Sequence, residues 1–530
     1  MKQTGIYTLL FIAIYLLLPF HTQAQPDEGL RKIIENKEYN IDGQPLFCKK
    51  TLPEFYYSRG FERAWTHEDN INELIEQIKL ASEEGLQTED YHYEYLKENF
   101  KGLKSMTPAL DVLLTDAYLL YASHLLSGKV NPEKIVAEWQ VNRKETDLKI
   151  LLSGSLENIE IARSLNGLKP KYKTYVRLKR ALRLYREIET KGGWPVIEGG
   201  ETLRTGMTDP RVEQIRNRLF VTGDISTTHT DSVNLFDSTI EEAIKTFQRR
   251  HGLEPDGAVG KSSLAILNEP VEKRIEQIIL NMERCRWLPL DLGEHYILVN
   301  IANYELEVIK NGKLEMEMSV VVGKPYRKTP VFSNKMMYLV FNPYWTVPPT
   351  IFANDVLPAI RKNVGYLRTQ NMKVISGDTE IDPSSIAWAE VTPKNFPYQI
   401  RQDPGPNNAL GQVKFIFPNA YNVYMHDTNH RELFSKTDRA LSSGCIRLSK
   451  PIDMAEYVLK HHPAGWTREK IDKTVGKEKN LTVMLSEEIY VHLLYWTSFV
   501  DEHDRINFRK DIYERDGVLW KAMQQGPPSI

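Results

Sequence analysis

The stretch Tyr296-Ile297-Leu298-Val299-Asn300-Ile301, followed by Glu305-Leu306-Glu307-Val308-Ile309, the dipeptide Asn311-Gly312 and a run over 316–322, decides the fold of the C-terminal third of this chain. Its apolar and polar residues alternate, the period of two that belongs to extended strands. Asn-Gly between two such runs supplies the left-handed backbone of a two-residue hairpin turn. More strand-like runs follow at 337–341, 413–417 and 421–425, so the region over 290–515 is expected to be β-rich and sandwich-like. The interval 350–406, with a short helical pattern around 357–367 and many Asp, Ser and Pro residues, reads as an insertion between strands. Segments of that length often serve as lids.

Upstream of Pro289 the period is helical. Ile71, Leu74, Ile75 and Ile78, and Leu113, Leu114, Ala117, Tyr118, Tyr121 and Leu125, recur at steps of three and four, which predicts a helical scaffold over 25–200. The aromatic residues Tyr56, Tyr57, Phe61 and Trp65 read as core. A cluster at Gly192-Gly193-Trp194-Pro195 and Glu198-Gly199-Gly200 ends that region. A small module over 205–270 then holds short helices around the turn Pro255-Asp256-Gly257, closing on a serine-containing helix through Leu264 and Leu267. Gly260-Lys261-Ser262 is not a phosphate loop, because the required earlier glycine is Pro255. The whole is a multidomain α+β chain.

At the N-terminus, Lys2, an apolar run over 6–20 and Thr22-Gln23-Ala24 have the layout of a secretory signal over 1–24. The run is about fifteen residues long, shorter than the roughly twenty a membrane span needs. An exported protein is expected. The 68 basic and 70 acidic residues nearly cancel, which removes the electrostatic case for nucleic acid. Three cysteines, Cys48, Cys285 and Cys445, are too few and scattered for a disulfide framework or zinc cluster, so at least one thiol stays unpaired. Neither a metal nor an organic cofactor is expected.

The reactive candidates lie in Tyr421-Asn422-Val423-Tyr424-Met425-His426-Asp427-Thr428 and Ser442-Ser443-Gly444-Cys445-Ile446-Arg447-Leu448. If both flanks are extended, Tyr424 and His426 share one face, and Cys445 and Arg447 another, opposite the aliphatic Val423, Met425, Ile446 and Leu448. His426 and Cys445 are too far apart for one helical face and meet only across adjacent strands. An imidazole beside a thiol is expected to lower its pKa and activate it as a nucleophile. Asp427, through its backbone or side chain, is the candidate to orient that imidazole. Gly444 permits a close approach of substrate, and the N–H of Cys445, with that of Gly444, is placed for an oxyanion. Arg447 offers a two-pronged hydrogen bond to a carboxylate.

This pattern, His426 and then Ser442-Ser443-Gly444-Cys445-Ile446-Arg447, resembles the signature of YkuD-type L,D-transpeptidases. The run Asn342-Pro343-Tyr344-Trp345-Thr346-Val347-Pro348-Pro349 is similar to the segment preceding the insertion in their large, lid-bearing YcbB-like members. Residues 243–267 resemble the three-helix peptidoglycan-binding domain of cell-wall enzymes. Where many members have histidine and glycine, this chain has Ser443 and Asp427. The resemblance implies a periplasmic, cell-wall-associated enzyme that carries out a two-step acyl transfer on stem peptides, with peptidoglycan stem peptides and glycan as its partners. Cys445 attacks the carbonyl between diaminopimelate and D-alanine, a thioester forms, and a second stem's amine gives a 3→3 cross-link. It implies substrate contacts for Ser443, Tyr424 and Trp345, acylation of Cys445 by carbapenems, and other cell-wall synthesis proteins as partners. Water or a protein lysine as acceptor, giving a carboxypeptidase or a wall-anchoring enzyme, and an inactive peptidoglycan-binding scaffold are the competing readings.

Overall fold

The computed structural model describes residues 26–135, 139–140, 144–230, 232–289, 291–477 and 479–530. The expected signal segment, 1–24, lies outside the described residues. Four separate apolar cores organise what is described.

The first gathers buried residues from Leu30 to Leu168 around the helix Pro108–Ser127. Thr107 caps that helix, accepting from the Leu110 N–H, and Pro108 opens it. It is long and apolar enough to cross a membrane, but 89% of its most apolar window is buried in this unit, so it is a core helix. Tyr56, Phe61 and Trp65 are buried here, whereas Tyr57 is exposed. The buried acids of this helix have structural partners. Asp111 accepts from the Tyr56 hydroxyl and the Ala64 and Trp65 N–H groups, and Asp116 from the Cys48 N–H.

The expected helical region 25–200 divides between two cores. Lys173–Thr190 packs against Val271–Arg286, and both bury their apolar faces in the core of the C-terminal sheet. Periodicity shows that a helix has an apolar face but not which neighbour covers it. At the junction of the two cores Arg286 is fully buried, donating to Glu283 at 2.8 Å, to the Glu84 carbonyl and to the Tyr175 hydroxyl.

The small module has its own core, built from Arg211–Val221, Ser238–Arg250 and the short helix Lys261–Leu267. Gln248 pins its turn, donating to Asp256 Oδ1 at 2.7 Å and accepting from the Gly257 N–H at 2.9 Å. Gly257 has φ +73°, open to glycine at little cost.

Among the described residues the C-terminal region is built on a nine-stranded sheet. Its strands are β1 His295–Asn300, β2 Glu305–Lys310, β3 Lys313–Gly323, β4 Phe332–Phe341, β5 Val413–Ile416, β6 Met425–His426, β7 Ala440–Ser442, β8 Ile446–Leu448 and β9 Leu481–Leu494. They hydrogen-bond in the order β7-β3-β8-β6-β5-β4-β9-β1-β2, and β2 also pairs with β3, so the sheet closes on itself rather than ending in two free edges. Asn311 and Gly312, with φ of 51° and 71°, make the expected tight turn between β2 and β3. Residues 421–424 are not the expected strand. Asn419 accepts from the Tyr421 and Val423 N–H groups and Asn422 is left-handed, so this stretch is a side-chain-stabilised turn.

The insertion between β4 and β5 is a folded unit. A separate four-stranded sheet, Trp345–Thr346, Gln399–Gln402, Met372–Ser376 and Thr379–Ile381, covers helices between Pro349 and Thr369 over a core that includes Phe352, Ile360 and Trp388.

Candidate active site

β6 and β8 lie side by side in parallel, with Met425 opposite Ile446 and His426 opposite Arg447. Met425 and Ile446 are fully buried in the core, so the alternation turns His426 and Arg447 to the other face. The Ile446 N–H donates to the Tyr424 carbonyl at 3.1 Å and extends the pairing back to Cys445, which precedes β8. The nineteen positions between histidine and cysteine are thus bridged by strand pairing, as their separation required.

Cys445 is half-buried, whereas Cys48 and Cys285 are buried in two different cores; all three thiols are free. A tight turn presents Cys445. Ser442 donates to the Cys445 carbonyl at 2.6 Å and accepts from the Gly444 N–H at 3.1 Å, and the Gly444 carbonyl accepts from Thr329 at 2.8 Å. Gly444 has φ +117°, a conformation that favours glycine. Because Ser442 takes the Gly444 N–H, that group is not free for an oxyanion, contrary to the sequence expectation. The Cys445 N–H is the remaining candidate.

His426 is buried, and its Nδ1–H donates to the main-chain carbonyl of Asp427 at 2.5 Å. The tautomer left by that bond carries its lone pair on Nε2. The backbone of Asp427, not its carboxylate, orients the ring. The carboxylate accepts from the Gln412 N–H and from Arg431, each at 2.9 Å, and so braces the loop preceding β5. Burial raises the Asp427 pKa against these bonds.

Burial, with the charges of Arg447 and Lys414, lowers the His426 pKa to about 3 against the pull of the Asp427 carbonyl, so the ring is neutral at pH 7. Burial also raises the Cys445 pKa, outweighing hydrogen bonds from Tyr424 and the charges of Arg447 and Lys414. The expectation that the imidazole lowers the thiol's pKa is therefore not met in the resting site. The thiol's hydrogen-bonding partner is Tyr424, whose own pKa is raised by burial and by the neighbouring sulfur. The resting site holds a neutral thiol and a neutral imidazole on neighbouring segments of the sheet, not an ion pair.

Arg447 is half-buried, and its Nε has no hydrogen-bond partner among the described residues. Ser443 is exposed and accepts from Arg327 Nη1 at 2.9 Å. Trp345 is not brought to this cluster; it pairs with Gln402 in the insertion's sheet and packs on the insertion's core. Two residues here were not foreseen. Lys414 stands directly across from His426 on β5, a position signalled only by alternation with the buried Val413 and Phe415. Arg327 holds Ser443 and also pairs with Asp355 of the insertion at 2.7 Å.

Residues 294–475 match the family described as "L,D-transpeptidase catalytic domain", residues 208–267 a "Putative peptidoglycan binding domain", and residues 50–182 a "Scaffold domain". A Haemophilus influenzae protein named "Putative L,D-transpeptidase" is 34% identical over 242 residues, which is 46% of this chain and 48% of that protein. An N-acetylmuramoyl-L-alanine amidase of Mycobacterium tuberculosis, CwlM, is 33% identical over 82 residues, 14% of this chain and 20% of that protein. The chain thus spans about half or less of the length of these curated relatives. Among solved structures, L,D-transpeptidases of Stackebrandtia nassauensis and Xylanimonas cellulosilytica are each 13% identical, with TM-scores of 0.22 and 0.18. They cover 57% and 56% of this chain, and 96% and 99% of their own, with scores too low to bear on fold or chemistry.

Proposed function

We propose, from the premise that the chain carries a YkuD L,D-transpeptidase catalytic domain and a peptidoglycan-binding domain, that it forms 3→3 cross-links between peptidoglycan stems outside the cytoplasmic membrane. The observation that carries this reading is the parallel register of β6 and β8, which sets His426 and Arg447 side by side and Cys445 at the head of the same strand.

The resting pair being neutral, proton transfer accompanies attack. As Cys445 Sγ bonds to the carbonyl carbon before the terminal D-alanine, its proton passes to His426 Nε2, and the tetrahedral oxyanion takes the Cys445 N–H. The scissile C–N bond then breaks, the imidazolium returns the proton to the departing D-alanine amine, and the stem remains as a thioester. In the second half the amine of another stem attacks the thioester carbonyl, His426 takes a proton from that nitrogen, and the Cys445 thiol is regenerated. Arg447, with its unpaired Nε, holds a stem carboxylate. The small module keeps the enzyme on the polymer. The insertion, tied to the nucleophile turn through Arg327, closes over the donor stem.

Purified disaccharide-tetrapeptide stems test the reading. Equal molar yields of D-alanine and cross-linked dimer are expected. Trimmed tripeptide monomers without dimer assign the site to a carboxypeptidase instead, and no D-alanine release at all refutes acyl transfer.

A further inference from the structure

We infer that Lys414 is a specificity-determining residue of the donor site, a second anchor for a free carboxylate on the stem, working beside Arg447. This rests on the acyl-transfer reading above and adds to it the class of donor the site selects.

Three observations converge on Lys414. In the antiparallel pairing of β5 with β6 it is directly opposite His426, so the two side chains share the reactive face of the sheet. Its Nζ lies 5.8 Å from the centre of the Tyr424 ring, and Tyr424 in turn is hydrogen-bonded to the Cys445 thiol. It is half-buried, and burial lowers its pKa.

A lysine on a protein surface is normally solvated or paired with a carboxylate. Among the described residues Lys414 has no carboxylate within ion-pair distance, and neither has Arg447. The carboxylate whose charge reaches Arg447, Glu432, is exposed and engages His430 instead. Two half-buried cations therefore approach the thiol from β5 and β8, the strands on either side of β6. Both carry a desolvation cost that no ion pair among the described residues offsets, as burial lowers the pKa of each. A neutral thiol does not offset it either. An anionic ligand seated over the thiol does, and two cations from two strands match a donor with two separated carboxylates.

The two cations are not equivalent. The planar fork of Arg447 fixes one carboxylate bidentately, while the ammonium of Lys414 is a point charge whose strength depends on the net charge of its partner. Converting that second carboxylate to its amide removes the charge but keeps its shape. Discrimination between the free acid and the amide is therefore the signature of Lys414, and it is seen in KM more than in kcat.

The test compares kcat/KM for D-alanine release from tetrapeptide stems whose diamino-acid residue carries either a free side-chain carboxylate or its amide. It uses the full-length wild-type protein, Lys414→Met and Lys414→Arg. Wild type is expected to prefer the free acid at least tenfold, Lys414→Met to reduce that ratio to about one through KM, and Lys414→Arg to restore most of it. Thermal melting and the rate of thiol alkylation are measured on each variant. An unchanged acid-to-amide ratio in a folded, active Lys414→Met protein overturns the inference while leaving acyl transfer standing. So does a fall in activity on both stems together with slower alkylation, because it assigns Lys414 to the thiolate alone. Absence of D-alanine release from either stem by the wild type is failure of the functional reading itself.

Discussion

Replacing Asp427 with alanine separates two ways in which this residue can serve His426. In the structure the ring is held by the main-chain carbonyl, which the substitution keeps. What is lost is a carboxylate that is only 8% exposed and accepts from the Gln412 N–H and Arg431. A hydrogen bond to a charged acceptor contributes about 1.5–3 kcal/mol. Because Arg431 is half exposed, its share is about 0.5 kcal/mol. The catalytic domain should therefore lose about 2–3.5 kcal/mol, or about 4–14 °C in melting temperature for a unit of this size. The tautomer survives, so D-alanine release should fall by less than about tenfold. Loss of an orienting carboxylate in a serine protease triad costs about 10⁴-fold. Release and melting measured on the same preparation decide between them. A fall of 10³-fold or more with wild-type melting would refute backbone orientation and assign the role to the side chain.

Other expectations follow from the same geometry. With burial raising the Cys445 pKa, alkylation by iodoacetamide should climb about tenfold per pH unit to pH 9 and beyond; a plateau near pH 7 would reveal a resting ion pair. Burial would raise the Glu84 pKa, but Lys169, Lys179 and Tyr175 outweigh it and lower it from 4.5 to about 2. A depressed acid contributes stability that is present above its unfolded pKa and lost as pH falls through the folded one. Wild type should therefore shed about 3 kcal/mol between about pH 4.5 and 2, and Glu84→Gln should start lower at pH 7 and lack that slope in acid denaturation. Arg327→Ala removes the tie from the insertion to the nucleophile turn, with Asp355 half exposed, which costs about 1 kcal/mol or less. Hydrogen exchange over 349–369 should then quicken by up to about fivefold, and unchanged exchange would exclude Arg327 as a latch.

Much of the site was legible because period-two alternation specifies faces. Once Met425 and Ile446 are assigned to the core, His426 and Arg447 have only one other side to occupy. The β2–β3 hairpin was equally legible, since Asn311-Gly312 fits few other conformations. What escaped the sequence depended on long-range partners. Lys414 reads as one more solvated lysine until its strand is paired with β6. The use of the Gly444 N–H by Ser442, and of the Asp427 carbonyl by His426, are main-chain events that side-chain patterns do not encode. The turn at 421–424 is held by the Asn419 side chain, which the apolar alternation over 421–425 conceals. Trp345 looked like a site residue because it lies in the segment that resembles the lid-bearing subgroup, yet its strand belongs to the insertion's sheet.

The central claim, that Cys445 carries the stem as a thioester, is tested most directly by intact mass spectrometry. Wild type and Cys445→Ala are incubated with a tetrapeptide stem in the absence of an acceptor and quenched in acid. The account predicts a wild-type adduct equal to the stem minus D-alanine, released by hydroxylamine and absent from Cys445→Ala. An adduct that persists in Cys445→Ala, or D-alanine release by that variant at the wild-type rate, would contradict it.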